Sequence, residues 1–163
     1  MTDRELTRMP GERRGYALDG VGTRRFEGLT SRTAVAEAAA GRWRFGRRGF
    51  WRRRIEAVDA AGSQVGTYEP GGLKRGGRLF WAGRCYGLRP SSAWRERYVL
   101  LEGALELAVL DGKGWGSRPV KLHVDDAWNV EPGLLLFATF VVHGLAADAN
   151  TAAATGATSA VSG

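Results

Sequence analysis

Residues 134–145 read LLLFATFVVHGL and contain no charged side chain. A helix that is apolar on every side must be buried, either in a protein core or in a bilayer. Spanning a bilayer takes about 20 apolar residues, so a run of this length predicts a core helix. Pro132 stands where such a helix begins and Asp148 ends the apolar run. The central helix is therefore predicted near residues 132–147.

The chain before this helix has the pattern of short β-strands separated by glycine-containing turns. Alternation puts Leu105, Leu107 and Val109 on one face of a strand, and Val120, Leu122 and Val124 on one face of the next. Eight strands are predicted in this way: Arg42–Phe45, Phe50–Val58, Ser63–Tyr68, Arg78–Ala82, Arg84–Leu88, Arg97–Leu101, Ala104–Leu110 and Ser117–Val124.

The predicted strands and the predicted helix each have apolar surface that the other can cover. The strands require cover on their inner face, and an all-apolar helix requires cover on every side. Wrapping the strands around the helix satisfies both requirements. The sequence therefore predicts a mainly β fold over residues 42–149, an antiparallel β-barrel, closed or partly open, around a buried hydrophobic C-terminal helix.

Both ends of the chain lack this pattern. Residues 1–41 contain only scattered apolar side chains and are predicted to form an N-terminal extension, with short strands at Tyr16–Leu18 and Arg25–Phe26. Within it, SRTAVAEAAA predicts a short helix near residues 31–40. Residues 150–163 are small and of low complexity, which predicts a disordered tail.

Four stretches carry a resemblance to a known family: GFWRRRIEAVDAAGSQVGTY, GGRLFWAGRCYGLRP, RERYVLLEGALELAVLDGKGW and EPGLLLFATFVVHGL. Together they resemble the tubby C-terminal-like superfamily, which includes tubby proteins, the plant LURP-one-related proteins and phospholipid scramblases. The resemblance implies a closed barrel of about a dozen antiparallel strands around a hydrophobic helix. It also implies membrane lipid as a partner, since some tubby proteins bind phosphoinositides and scramblases act on lipids. It assigns no individual binding residue.

Length and charge narrow the class of protein further. A chain of 163 residues with 44% hydrophobic and 25% charged residues is typical of one globular domain. Residues 1–98 carry a net charge of +11 and residues 99–163 carry −4, for a total of +7. The N-terminal stretch has no apolar segment of the kind that secretory signals contain, so a cytoplasmic location is expected, peripheral to a membrane if the basic residues bind lipid.

The strongest candidate binding feature is RWRFGRRGFWRRR, residues 42–54. Arg42, Arg44, Arg52 and Arg54 would hold anionic lipid headgroups, or bind single-stranded nucleic acid together with the neighbouring aromatic rings. Strand alternation alone gives the same pattern, with Trp43, Phe45 and Trp51 inward and the arginines as a solvated outer face. A second basic group lies in a glycine-rich loop and comprises Lys74, Arg75 and Arg78.

No combination of residues predicts catalysis. Cys85 is the only cysteine, so no internal disulfide or cysteine-based zinc site forms, and it is expected as a small buried residue. His143 is expected either in the core or where the helix emerges. We expect no enzyme, cofactor or metal, and instead a binding or scaffold domain whose partner is anionic lipid or a protein. A small nucleic-acid-binding protein is the alternative.

Overall fold

The computed structural model describes residues 2–28, 32–48, 54–71, 76–91, 97–111 and 120–159, and for residues 48, 120 and 149–159 it describes the backbone alone. These residues form strands, one 3₁₀ turn at Asp126–Trp128 and one α-helix, α1, at Pro132–Ser159. The strands are β1 Thr2–Arg8, β2 Gly15–Leu18, β3 Gly22–Phe26, β4 Ala34–Ala38, β5 Gly41–Arg48, β6 Arg54–Asp59, β7 Gln64–Pro70, β8 Gly77–Trp81, β9 Arg84–Pro90, β10 Arg97–Glu102, β11 Leu105–Asp111 and β12 Val120–Val124.

The strands form a closed antiparallel barrel. Each pairs with its neighbour in the chain, and β1 closes the barrel by pairing with β12, with Thr2 opposite Val124. Closure leaves no strand edge with unpaired backbone groups. The mainly β barrel is confirmed, and of the two predicted forms the closed one is present.

The central helix is also confirmed. Every residue from Leu134 to Val142 is buried, so the first part of α1 is covered on all sides. Phe45 packs on Phe137 and Phe140, with ring centroids 5.1 and 5.6 Å apart. Burying each such side chain contributes about 1.5–3 kcal/mol. The one polar side chain in this stretch, Thr139, donates its hydroxyl to the Leu136 carbonyl at 2.8 Å.

The predicted N-terminal extension is wrong, because residues 2–38 form four strands of the barrel. The helix predicted near residues 31–40 is wrong for the same reason, since Ala34–Ala38 is strand β4. Ala34 and Ala36 alternate with Val35 and Glu37, and both alanines are fully buried towards the helix. Hydrogen bonding of β4 to both β3 and β5 outweighs the weak helix preference of alanine.

Two further details differ from the sequence pattern. The backbone of α1 continues to Ser159, through residues predicted as a disordered tail, because the buried half supplies the helix nucleus and alanine extends it at low cost. In β11 a register shift opposite Leu100/Leu101 reverses the inward face. Leu107, Ala108 and Leu110 therefore join the cluster around the helix, whereas Val109 is buried but lies outside that cluster.

Candidate functional site

The barrel has two chemically different ends. Antiparallel strands place successive connections alternately at the two ends. We call one the basic end: its connections, residues 9–14, 27–33, 49–53, 71–76, 91–96 and 112–119, contain ten basic and three acidic residues. We call the other the acidic end: its connections, residues 19–21, 39–40, 60–63, 82–83, 103–104 and the segment 125–131 before α1, contain four acidic and no basic residues.

Two of the sequence-predicted site residues lie on the outer wall instead of at either end's opening. Arg42 pairs with Glu37 at 3.2 Å between Nε and Oε1, and Arg44 pairs with Glu27 at 2.8 Å between Nη2 and Oε2. Between them Trp43 faces inward, where it packs on the core. Strand alternation therefore explains this part of the basic-aromatic stretch.

Of the other five predicted residues the structure describes two, Arg54 and Arg78, and both lie at the basic end. Arg54 and Arg78 both approach Glu69, at 3.9 and 3.7 Å, where β6, β7 and β8 meet that end. Arg52, Lys74 and Arg75 lie outside the described residues, within connections that join strands there. The four predicted residues that the structure describes are therefore separated into a wall pair, Arg42 and Arg44, and an end pair, Arg54 and Arg78.

A cavity of about 250 Å³ opens at the basic end beside the emerging helix α1. Its apolar side consists of Phe26, Ile55 and Phe140, and its polar side of Arg14, Arg32, Arg47, His143 and Asp148. Arg47 donates to Asp148 at 2.9 Å, so one carboxylate faces three arginines. The cavity is apolar on one side and has a net positive charge on the other.

Arg24 lies just behind this lining and is fully buried on β3. Its guanidinium carbon is 5.4 Å from the ring centroids of Tyr16 and Phe26 and 5.5 Å from that of Phe140. Its Nε and Nη1 have no hydrogen-bond partner, and within the described residues no carboxylate pairs with it. Buried charges are normally paired, so Arg24 departs from the usual pattern.

His143 joins Arg24 to the cavity. Its Nδ1 lies 3.4 Å from Nη2 of Arg24. Burial, and then the positive charges of Arg24 and Arg14, lower the pKa of His143 to about 3, and burial lowers the pKa of Arg24 to about 9. At neutral pH the imidazole is therefore uncharged and the guanidinium charged. Of the two expectations for His143, the structure supports the one that it marks the point where the helix emerges.

At the acidic end the helix entrance is filled. Trp81 donates its indole N–H to Glu131 at 2.8 Å, and the rings of Trp43 and Trp81 lie 5.8 Å apart. They pack over Gly133, where a β-carbon would come within 2.8 Å of Trp43 and closer still to Trp81. Only glycine fits here, and no comparable opening is formed by these residues.

Cys85, His123 and Asp125 also carry reactive or ionisable side chains, and they lie apart from one another. Cys85 is exposed, contrary to expectation, because Tyr86 and Leu88 take the inward positions of β9. His123 pairs with Asp3 at 2.5 Å on the wall. Asp125 accepts from the Ala127 amide at 3.0 Å and so caps the 3₁₀ turn, not α1. Within the described ranges no three His, Cys, Asp or Glu side chains meet as a metal would require.

The described residues define a closed twelve-stranded antiparallel barrel with an internal helix and a basic cavity at the helix exit. Comparison with known proteins found no matching family model, no matching curated protein and no matching solved structure. No helix in the described part of the chain combines the length and hydropathy needed to cross a bilayer. The sequence did not predict this cavity, because the cavity forms where β3 packs near a helix that begins more than a hundred residues later in the chain.

Proposed function

We propose that this protein is a non-enzymatic binding domain that attaches to anionic membrane surfaces through the basic end of its barrel. The observation that carries the proposal is the separation of charge, with a net +7 in the connections of one end and −4 in those of the other. A domain with such a dipole orients on a negative surface without a specific pocket. The cytoplasmic leaflet, with its anionic lipids, is the surface that this chemistry fits.

Distance makes the two ends electrostatically independent. Strands of seven residues such as β7 and β9 span roughly 20 Å. Charges interact over about 8 Å at physiological ionic strength. A membrane at the basic end therefore attracts the basic residues there, while the acidic end is screened from it. Each basic residue near such a surface contributes about 1 kcal/mol to binding.

The wall arginines contribute less to this attraction. Arg42 and Arg44 each have a glutamate partner within 3.2 Å, which cancels their charge locally. Arg42 also lies near the start of β5, towards the acidic end, and Arg44 is held by Glu27, which belongs to a connection of the basic end. We therefore assign membrane binding to the residues of the basic end and not to the arginines of β5, which the sequence singled out.

The resemblance to the tubby C-terminal-like superfamily supports the same proposal. A closed antiparallel barrel around a hydrophobic helix is the architecture that the resemblance implies, and membrane lipid is the partner class it implies. The nucleic-acid alternative depended on aromatic rings exposed beside the arginines of residues 42–54. Phe45 is fully buried and Trp43 packs on the core, so neither of these rings is placed to stack on bases; Trp51 lies outside the described residues.

Two double variants with equal loss of charge test the proposal. Arg13→Gln/Arg78→Gln removes two exposed charges at the basic end, and Arg42→Gln/Arg84→Gln removes two exposed charges near the acidic end. Binding is measured by co-sedimentation with phosphatidylcholine vesicles with and without phosphatidylserine. We expect the basic-end variant to bind anionic vesicles about 30-fold more weakly and the control variant to bind within about 3-fold of wild type.

Salt and partner specificity complete the experiment. Raising NaCl from about 0.05 to about 0.5 M is expected to release the wild type, because the screening length falls. Equal loss of binding in both double variants, or equal binding to neutral vesicles, would contradict the proposal. Binding to a single-stranded oligonucleotide without binding to anionic vesicles would instead establish the nucleic-acid function.

A further inference from the structure

We propose that the cavity at the helix exit binds a compact organic anion, a phosphate or carboxylate group carried on an apolar body. This inference stands apart from membrane attachment, because it concerns a concave site and not the charge of the surrounding surface. The described residues that line it lie on β3, β5, β6 and α1, together with Arg14 and Arg32 from two connections of the basic end.

The unbalanced charge identifies the ligand as an anion. Arg14, Arg32 and Arg47 line the cavity, and their one carboxylate partner there, Asp148, is already bonded to Arg47. Behind them Arg24 is fully buried, with aromatic rings and His143 beside it, and two of its guanidinium nitrogens have no hydrogen-bond partner among the described residues. An unpaired buried charge destabilises the folded protein, and a bound anion would offset that cost.

The opposite side of the cavity identifies what carries the anionic group. Phe26, Ile55 and Phe140 present apolar surface, and the Arg14 guanidinium lies 4.3 Å from the Phe26 ring centroid. An inorganic ion would leave this surface without a contact. The volume of about 250 Å³ is below the range for drug-sized ligands, so the apolar body is small or only partly enclosed.

Arg24 has the features of a residue retained for binding and not for stability. Replacing a buried charge by an apolar side chain of similar volume is often neutral or stabilising. Arg24→Met is therefore expected to keep or raise the melting temperature of the ligand-free protein while weakening the site. Its neighbour on β3 supplies a matched control: Arg25 faces outward and pairs with Glu12, so Arg25→Met makes the same chemical change outside the cavity.

The test uses soluble probes, measured by isothermal titration calorimetry and thermal unfolding without any membrane. We expect phenyl phosphate to bind the wild type and raise its melting temperature, inorganic phosphate to bind more weakly, and benzyl alcohol not to bind. Arg24→Met should weaken phenyl phosphate binding about 10-fold or more, and Arg25→Met should leave it unchanged. Arg14→Gln/Arg32→Gln, which alters half-buried and exposed side chains, should also weaken it and serves if Arg24→Met fails to fold.

A further pair of measurements separates the two sources of such an anion. If the wild type binds phosphatidic acid vesicles more tightly than phosphatidylserine vesicles, and Arg24→Met loses this preference, the anion is part of a lipid. If the wild type shows no such preference but still binds phenyl phosphate, the natural ligand is a free small molecule. The inference is overturned if inorganic phosphate binds as tightly as phenyl phosphate, or if Arg24→Met and Arg14→Gln/Arg32→Gln both bind like wild type. The membrane proposal is unaffected by these results, since its variants lie outside the cavity lining.

Discussion

The two ends of this barrel share the same strands and the same helix but use them differently. At the acidic end the connections between strands are two to four residues long, and two tryptophans close over the start of α1. At the basic end the connections are five to eight residues long, and α1 emerges beside an open, positively charged cavity. The comparison indicates that packing at the acidic end stabilises the fold, whereas the basic end is available for binding.

The largest expected effect comes from the helix that both ends share. Leu136 lies between them with no exposed surface. Leu136→Asp places an unpaired carboxylate in the core, which costs several kcal/mol, so the protein is expected to unfold. Circular dichroism at room temperature measures this. Ala60→Asp, at an exposed turn of the acidic end, is the control and should remain folded. A folded, equally stable Leu136→Asp protein would show that α1 is not internal.

Acid should lower the free energy of unfolding because of His143, which lies at the basic end. The pKa of His143 is about 3 in the folded protein and near 6.5 when unfolded, so the unfolded chain binds more protons between these values. Stability is therefore complete above pH 6.5 and falls as the pH drops from there towards 3, by at most about 1.4 kcal/mol per pH unit. Urea unfolding at pH 6.5 and 4.5 measures the slope.

The two histidines lie towards opposite ends and allow a matched comparison. His143→Gln should flatten the loss of stability between pH 6.5 and 4.5, because it removes the group that gains a proton on unfolding. His123→Gln, on the wall beside Asp3, should leave the loss due to His143 in place. An unchanged slope in His143→Gln would mean that the helix exit is more hydrated than its contacts with Arg24, Tyr16 and Phe26 imply.

A smaller effect compares the same substitution at the two ends of α1. Gly133→Ala brings a β-carbon against the rings of Trp43 and Trp81 and is expected to cost about 1–3 kcal/mol. Gly144→Ala meets only the flexible end of Arg47, at 3.1 Å, and should be neutral or stabilising because alanine favours a helix by about 1 kcal/mol. Thermal unfolding of both variants measures the difference. Similar effects at both sites would contradict the contrast between a filled and an open end.

The sequence predicted those parts of the fold whose local pattern was unambiguous. The charge-free run before Asp148 indicated the internal helix, and its length excluded a simple bilayer span. Ala34 and Ala36 misled, because their alternation with Val35 and Glu37 is hidden by alanine's preference for helices. Of the four N-terminal strands, β2 and β3 were predicted in part, at Tyr16–Leu18 and Arg25–Phe26, whereas β1 and β4 were missed. Each of the four has few large apolar residues and depends on the barrel for its neighbours.

The candidate site was less predictable than the fold. The contrast between the ends appears only when the connections are sorted by topology, since charges at one end are scattered from Arg13 to Arg118 in the sequence. The sequence does not distinguish Arg24 from the other arginines of the basic N-terminal part of the chain. Its burial follows from strand register: Tyr16 and Ala36 flank it across β3, and all three face α1. No local pattern contains that information.

The two ends of strand β9 offer labelling positions that show which end of the barrel contacts the membrane. Cys85, near the acidic end, is the chain's only cysteine and is exposed; Ser91, just after β9 at the basic end, is also exposed. An environment-sensitive fluorophore is attached either to Cys85 or to a Cys85→Ser/Ser91→Cys variant, and each protein is bound to phosphatidylserine vesicles that carry a lipid-borne quencher. If the basic end docks on the membrane, we expect a blue shift and quenching at residue 91 and no change at residue 85. Equal quenching at both positions, or quenching at residue 85 alone, would contradict it.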